Sequence, residues 1–262
     1  MRIVVALKTV PDLVEEIELT ADETAIEREY LKFALSEWDA QALEEALLLK
    51  DTSGAEVVAV GLADDPEIDQ TLYTALAKGA DAAVKLTDAG AASREPAAIP
   101  VAARAALLAG YLASEPADLV ISGVQAADDP DGQLPPTLAA LLDLPHVSVV
   151  VAVEASAGSV TVRQEFAGGV SHELEVHLPA VIGVQSARQT PRYAPIARIR
   201  QAMQAGGLTE LAVTSPGPEE GVVLRRMHRP ETTGRAEMLT GSPGEVADQI
   251  VELLRDRGLV KG

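Results

Sequence analysis

The segment Leu119-Val-Ile-Ser-Gly-Val-Gln-Ala-Ala-Asp-Asp-Pro-Asp-Gly-Gln133 decides how the fold of this chain is predicted. Its first residues are apolar and β-branched, as in a buried strand, and Gly123 ends that run. A helix is predicted from Gln133 to Leu142, so residues 123–132 form the loop between the strand and the helix. A strand that passes through a polar loop into a helix is the repeating unit of a parallel α/β sheet.

The same alternation covers the first two-thirds of the chain. It predicts strands over Ile3–Leu7, Glu56–Gly61, Ala83–Leu86 and Leu119–Ser122, and helices over Trp38–Lys50, Glu67–Lys78, Ala97–Ser114 and Gln133–Leu142. Short β-branched runs between Ala- and Leu-rich helical stretches predict a doubly wound, mostly parallel sheet with helices on both faces.

The pattern changes after Pro145. Shorter strand candidates, joined by Ala-Gly and Gly-Gly turns, predict antiparallel hairpins over His146–Val153, Ser159–Glu165, Leu174–His177 and Ala180–Val184. From Gln185 to Met238 the chain is rich in Pro, Gly and Arg without sustained periodicity, which predicts an extended arm. The capping box Ser242-Pro-Gly-Glu245 then predicts a terminal amphipathic helix. We therefore predict a domain over 1–184 and an arm with a helix over 185–262.

Composition excludes several classes of function. The 262 residues contain no cysteine, so disulfides, thiolate-held clusters and cysteine nucleophiles are excluded. A net charge of −19, from 40 acidic and 21 basic residues, repels nucleic acid and anionic lipid. No apolar run reaches the length of a membrane span, and Met1–Pro11 is unlike a signal peptide. We expect a cytoplasmic protein.

The loop Gly123–Gln133 is the strongest candidate for a ligand site, because ligands of open parallel sheets bind beyond the carboxyl ends of the strands. Neither a G-x-G-x-x-G motif nor a P-loop is present. Its three aspartates repel phosphate, so a bound phosphate needs the backbone N–H groups near Gly132–Leu134. An acidic turn that caps a helix and binds nothing is the alternative, and residue types do not separate the two. The four histidines lack metal-ligand spacing, and no residue is predicted to be catalytic.

Several segments, in order, resemble the beta subunit of electron-transfer flavoproteins. They are Val5–Asp12 (K-x-V-P-D), Asp39–Leu47 (D-x-x-A-L-E-E-A-L), Thr74–Asp81 (T-A-L-A-M-G-A-D), Gly123–Asp128 (G-K-Q-A-I-D), Arg163–Gly169 with Leu178–Val181, and Pro191–Tyr193 (P-R-Y). The resemblance covers essentially the whole chain and implies a Rossmann-like, adenine-nucleotide-hydrolase-like fold.

The resemblance implies an electron carrier without catalytic residues of its own. Such a subunit pairs with an alpha subunit that holds most of an FAD, and electrons pass between dehydrogenases and a quinone-linked acceptor. It also buries a second nucleotide, which is AMP in ordinary carriers and a second FAD in electron-bifurcating ones. The long arm is then expected to embrace the alpha subunit.

The resemblance also assigns site residues. The buried nucleotide is expected to contact Ala6, Ser36, Asp39, Leu62, Gly123, Val124, Gln125, Asp128, Asp129, Asp131, Gly132, Gln133 and Leu134. Leu13 corresponds to an aromatic position near the flavin ring in some members and offers only apolar contact here. The expected partner-binding residues are Pro191, Arg192, Tyr193 and Ile196, the last as an apolar anchor for a dehydrogenase.

Departures from the family pattern leave the identity of the nucleotide open. Ser36 stands where asparagine is usual, and Pro130, Asp131 and Gly132 replace the D-x-N of AMP-binding members. The sequence from Gly132 to Pro136 is closer to the T-A-Q-V-G-P loop of bifurcating members, so a second hypothesis is a bifurcating or quinone-linked system with FAD in place of AMP. A third hypothesis is a stand-alone nucleotide-binding regulator of the universal-stress type, although such a protein has little use for the arm.

Overall fold

Apolar β-branched runs supply the central strands of the fold. The computed structural model describes residues 1–29, 31–65, 67–89, 99–214, 224–229, 236 and 238–260. The strands are β1 (Arg2–Ala6), β2 (Thr9–Pro11), β3 (Phe33–Leu35), β4 (Glu56–Leu62), β5 (Ala82–Asp88), β6 (Leu119–Gly123), β7 (His146–Ser156), β8 (Ser159–Phe166), β9 (Val170–His177), β10 (Ala180–Val184) and β11 (Leu208–Val213). The helices are α1 (Glu37–Ser53), α2 (Ile68–Lys78), α3 (Val101–Ser114), α4 (Leu134–Leu142), α5 (Ile196–Ala205) and α6 (Pro243–Asp256).

Within the described residues, nine strands form one sheet in the order β11-β5-β4-β1-β6-β10-β7-β8-β9. Neighbouring strands from β11 to β7 are parallel, and β7, β8 and β9 form antiparallel hairpins. β2 and β3 form a separate antiparallel pair. The predicted α/β class with a mostly parallel sheet and a hairpin extension is confirmed.

Helices cover both faces of the sheet. On one face, Leu43 and Leu47 of α1 and Leu72 of α2 are buried with Ile3 of β1. On the other face, Leu108 of α3 and Leu138 of α4 are buried with Val4, the next residue of β1, because successive side chains of a strand point to opposite faces. The sheet therefore has a hydrophobic core on each side.

The strand order reverses beside β1, which pairs with β4 on one side and with β6 on the other. The connection through α1 leads to β4, whereas the later connection through α3 crosses back to β6. A crevice forms at such a switch point, beyond the carboxyl ends of the two strands. Residues after Ala6 and after Gly123 therefore meet at one edge of the sheet.

Two predictions for the second half of the chain need correction. β10 was expected in an antiparallel hairpin, but it pairs in parallel with both β6 and β7. All five of its residues are buried, and a continuous apolar run is typical of a central parallel strand. The predicted arm also missed α5 and β11, which pairs with β5 along its whole length. The part of that arm in 215–223, 230–235 and 237 lies outside the described residues, as do Ala97 and Ala98 of the predicted third helix.

The contacts divide the chain into two units, Met1–Arg226 and Met227–Gly262. In the second unit α6 begins with the predicted capping box, in which Ser242 and Glu245 exchange side-chain and backbone hydrogen bonds. Its apolar residues Ile250 and Val251 are exposed. The predicted division at residue 184 and the wrapping of a partner by the arm remain predictions. No helix within the described ranges combines the length and apolar content needed to cross a bilayer.

Candidate functional site

Asp39 joins the two sides of the switch point. It lies in the first turn of α1, where one carboxylate oxygen accepts the Lys8 N–H at 3.0 Å and the other accepts the Gly123 N–H at 2.8 Å. These two N–H groups belong to the chain just beyond β1 and at the end of β6. A single buried carboxylate therefore sets the spacing of the two strand ends that border the crevice.

Burial raises the pKa of Asp39 to about 6. The Gly123 N–H and the positive charge of Lys8 act in the opposite direction, because both favour the ionised carboxylate. The desolvation of a side chain that is only 4% exposed outweighs them. Asp39 therefore changes protonation state close to neutral pH, unlike an ordinary surface aspartate.

Gly123 permits the close approach of α1 to the end of β6. A Cβ atom at this position would lie 2.7 Å from an Asp39 carboxylate oxygen and 2.7 Å from the Trp38 Cβ. Side chains do not tolerate such separations, so only glycine fits here without a shift of α1. The glycine that ends the predicted strand is thus required by packing at the crevice.

The acidic loop caps its own helix. The Asp129 carboxylate accepts the Gln133 N–H at 3.0 Å and the Leu134 N–H at 3.3 Å, and Asp129 is 6% exposed. Gly132, with φ of +64°, donates its N–H to the Asp129 carbonyl. The N–H groups expected to hold a phosphate are therefore already bonded to oxygens of Asp129, as in the alternative of a helix-capping turn.

Two ion pairs lie beside the crevice. The Lys8 ammonium contacts Asp128 of the acidic loop, and Lys8 itself is buried. The Arg104 guanidinium, on α3, donates to both carboxylate oxygens of Asp65 at 2.7 and 2.6 Å, and both residues are buried. The crevice therefore carries positive charge that is neutralised from within the chain.

Ser36 has a buried hydroxyl group that forms no hydrogen bond among the described residues. It is fully buried immediately before α1, and among the described residues its Oγ has no hydrogen-bond partner. Buried hydroxyls without a partner are rare because losing hydration costs free energy. An orphaned buried hydroxyl next to the crevice is the feature expected where a ligand accepts or donates a hydrogen bond.

The crevice itself is narrow. A cavity of about 10 Å³, the space of about one water molecule, is lined by Ala6, Leu7, Lys8, Asp39, Val60, Gly61, Leu62, Arg104, Leu108 and Leu134. The lining combines apolar side chains with the buried charged groups of Lys8, Asp39 and Arg104. A ligand larger than a water molecule therefore enters only if side chains around the cavity move.

The structure brings many of the predicted site residues together. Ala6, Asp39, Leu62 and Leu134 line the cavity, and Gly123 lies against Asp39. Val124 and Gln125 are partly buried where the loop begins, whereas Asp131 and Gln133 are exposed. Leu13 is 66% exposed and does not line the cavity.

A larger groove of about 680 Å³ lies elsewhere. It is lined by residues 28, 31–35, 67, 70, 71 and 74, which belong to the segment around β3 and to the start of α2. None of the predicted site residues lines it. The small cavity differs from this groove because buried charged side chains line it, and Ser36 lies beside that lining, where its N–H donates to the Lys8 carbonyl at 3.0 Å.

The predicted partner-binding segment is anchored to α1 by two buried glutamates. Glu45 accepts the Arg188 N–H and Nε–H at 3.0 and 2.8 Å, and it also accepts the Val153 N–H at 2.7 Å. Glu44 accepts the Arg192 N–H at 2.8 Å and its Nε–H at 2.9 Å. Arg192 therefore faces its own chain.

The end of that segment is exposed. Pro191 is partly buried, whereas Tyr193 is 78% exposed and Ile196, the first residue of α5, is 61% exposed. An exposed aromatic and an exposed aliphatic side chain thus project from a chain segment that is fixed by ion pairs.

Three charged residues of the site were missed by the sequence analysis: Lys8, Asp65 and Arg104. Lys8 was quoted only as part of a motif. Arg104 carried a usable signal, because it is the only charged residue in the apolar stretch 99–114. A lone charge in a helix that packs on a sheet is buried only when it has a partner. No group of three or more acidic or histidine side chains in the described ranges could hold a metal ion.

The fold and the switch-point crevice define a doubly wound α/β protein with a candidate ligand site at the carboxyl ends of its strands. The sequence model of the electron transfer flavoprotein domain matches residues 24–216. The electron transfer flavoprotein subunit beta of Methylophilus methylotrophus is 32% identical over 266 residues, covering 98% of each chain. The chain belongs to the electron transfer flavoprotein family, as a relative of its beta subunits.

Two further relatives cover nearly the whole chain. The electron transfer flavoprotein subunit beta of Syntrophomonas wolfei is 30% identical, covering 98% of this chain and 96% of its own. Subunit CarD of the caffeyl-CoA reductase-Etf complex of Acetobacterium woodii is 28% identical, covering 99% of this chain and 100% of its own. The family is flavin-linked, and its beta subunits act with an alpha subunit.

Proposed function

We propose that this chain is the beta subunit of a heterodimeric electron carrier and that it buries an adenine nucleotide in the switch-point crevice. An alpha subunit holds most of the redox-active FAD. Electrons pass from dehydrogenases to a quinone-linked acceptor in the cytoplasm. The nucleotide in this chain is structural, and the chain supplies no catalytic acid, base or nucleophile.

The unpartnered hydroxyl of Ser36 is the observation that carries this proposal. Ser36 is buried, its N–H donates to the carbonyl of the crevice residue Lys8, and its hydroxyl has no hydrogen-bond partner among the described residues. Leu62 and Leu134 provide apolar walls for a flat base, and Lys8, whose partner Asp128 is exposed, provides positive charge for a phosphate. An adenine nucleotide combines a hydrogen-bonding base and sugar with an anionic group, so it matches these features.

The exposed pair Tyr193 and Ile196 supports docking of a redox partner. Exposed aromatic and aliphatic side chains are frequent anchors of protein interfaces when the backbone that carries them is fixed. Here Glu44 and Glu45 fix that backbone. We propose that this segment receives the electron-donating dehydrogenase, while the arm up to residue 262 contacts the alpha subunit.

The nucleotide content of the purified heterodimer tests the proposal. The chain is coexpressed with its own alpha subunit, the complex is denatured, and the released nucleotides are identified and counted by mass spectrometry. We expect one FAD and one AMP per heterodimer. Release of no nucleotide beyond the alpha-subunit FAD, from a complex that is folded and coloured, would contradict a nucleotide site in this chain.

A second candidate is an electron-bifurcating carrier with FAD in place of AMP. The loop from Gly132 to Pro136 favours it, because its sequence is closer to the bifurcating pattern. Leu134 of that loop is buried at the crevice. Two FAD molecules per heterodimer and no AMP in the same extraction would establish this alternative.

A further inference from the structure

A cluster of charged side chains lies around the crevice, and each of them is bonded within the chain. It contains two cations, Lys8 and Arg104, and three carboxylates, Asp39, Asp65 and Asp128. With every group ionised, the carboxylates exceed the cations by one. A ligand phosphate therefore enters a region without spare positive charge, and it binds there only if it replaces one of these carboxylates.

The two ion pairs differ in how easily they can be broken. Asp65 and Arg104 have side chains only 9% and 7% exposed, and they form two parallel hydrogen bonds. Separating them leaves two buried charges without partners, which is strongly unfavourable. The Arg104–Asp65 pair is therefore a fixed part of the crevice wall.

The Lys8–Asp128 pair is asymmetric. The Lys8 side chain is 6% exposed, whereas the Asp128 side chain is 46% exposed on the acidic loop. Asp128 can turn into solvent and regain its hydration, but Lys8 cannot follow. Because an unpaired buried ammonium is costly, another anion has to take the place that Asp128 leaves.

The start of α4, the other place where a phosphate could bind, is already occupied by a carboxylate. The N–H groups of Gln133 and Leu134 at the start of α4 donate to Asp129, which is itself buried. Asp129 has no comparable access to solvent. Of the two carboxylates of the loop that are engaged near the crevice, only Asp128 is therefore free to exchange.

We propose that Asp128 competes with the ligand phosphate for Lys8, so that a phosphate-bearing nucleotide binds by displacing the Asp128 carboxylate from the Lys8 ammonium. This inference rests on the proposed nucleotide site and concerns its regulation. The base and sugar bind without displacing Asp128. The phosphate adds affinity only to the extent that its interaction with Lys8 is stronger than the interaction between Asp128 and Lys8. The loop carboxylate thus sets the selectivity of the crevice for nucleotides over nucleosides.

Binding measurements on the nucleotide-depleted heterodimer test this exchange. Dissociation constants for adenosine and AMP are measured by competition with labelled AMP in the native protein and in three variants: Asp128→Asn, Lys8→Met and Glu154→Gln. Glu154 is exposed on β7, so its variant controls for the loss of one negative charge.

We expect Asp128→Asn to tighten AMP binding about tenfold, the effect of one charge-assisted hydrogen bond, and to leave adenosine binding within about twofold. Lys8→Met removes the preference for AMP over adenosine. Glu154→Gln leaves both dissociation constants unchanged. Because Asp128→Asn retains Lys8, the test does not depend on whether Lys8→Met folds.

Two other outcomes are distinguishable. If adenosine and AMP both bind, but Asp128→Asn shifts neither or shifts both equally, the exchange is refuted and the nucleotide site stands. If neither AMP, adenosine nor FAD binds to a heterodimer with a cooperative thermal transition, the proposed function fails and the exchange fails with it.

Discussion

Replacing Glu45 by alanine is expected to destabilise the chain and release the segment that carries Tyr193. Glu45 is fully buried and accepts three hydrogen bonds, one from Val153 and two from Arg188. Its removal leaves the buried Val153 N–H without an acceptor and separates an ion pair whose acidic partner is inaccessible to water. The unpaired Val153 N–H and the lost bonds to Arg188, whose side chain is 27% exposed and regains some hydration, together cost about 2–4 kcal/mol, a large share of the free energy of unfolding of a typical domain.

Two neighbouring glutamates on the same helix provide matched comparisons. Glu44→Ala is expected to cost less, about 1.5–3 kcal/mol, because Glu44 accepts only from Arg192, which also pairs with Asp51. Glu37→Ala removes an exposed charge from the first turn of α1 and is expected to cost at most about 0.5 kcal/mol.

Two assays distinguish local from global effects. Urea unfolding of the heterodimer at fixed concentration, followed by circular dichroism, gives the change in stability. Limited trypsin digestion reports the local release, because cleavage after Arg188 requires the segment to leave α1. If Glu45→Ala unfolds at the same urea concentration as Glu37→Ala and shows no faster cleavage at Arg188, the anchoring role is refuted.

Three further changes test the crevice. The pKa of Asp39 is about 6 in the folded chain against 3.8 for the free side chain, so the folded state binds the proton more tightly and loses up to about 3 kcal/mol of stability as pH rises through that range. Urea unfolding at pH 4.5 and 7.5 should therefore show a stability difference between native protein and Asp39→Asn that shrinks as pH rises. A difference independent of pH would refute the raised pKa. Gly123→Ala forces a Cβ against Asp39 and should cost about 1–3 kcal/mol in the same assay, whereas no loss would mean that α1 shifts freely. Arg104→Met should lower the free energy of unfolding by about 3–5 kcal/mol, because it leaves the buried Asp65 carboxylate without a partner. Adding Asp65→Leu should recover most of that loss. A double variant as unstable as Arg104→Met alone would contradict the view that the two side chains neutralise only each other.

The α/β alternation was predictable because each segment carries its own periodicity. The strand around Val5, the helix around Leu43 and the capping box of α6 each depend on neighbours a few residues away in sequence. Gly123 could likewise be identified as the end of a strand. The requirement for glycine at this position follows only from the tertiary structure, in which Trp38 and Asp39 pack against it.

The direction of β10 and the pairing of β11 could not be predicted from local pattern. A five-residue apolar strand is compatible with either orientation, and its partners β6 and β7 decide which one occurs. β11 lies next to β5, 125 residues earlier in each aligned pair, and its own six residues do not specify that partner. Strand pairing at such separations is a property of the whole sheet.

The sequence by itself determined the class of fold, the position of the loop after β6 and the family resemblance, because these depend on local periodicity and on motifs in a fixed order. Only the tertiary structure decided that Asp128 pairs with Lys8, that Arg104 pairs with Asp65 and that Glu45 holds Arg188. These partners lie 120, 39 and 143 residues apart, so no local pattern links them. Buried charges choose their partners by proximity in the folded chain, since each must be neutralised where water is excluded.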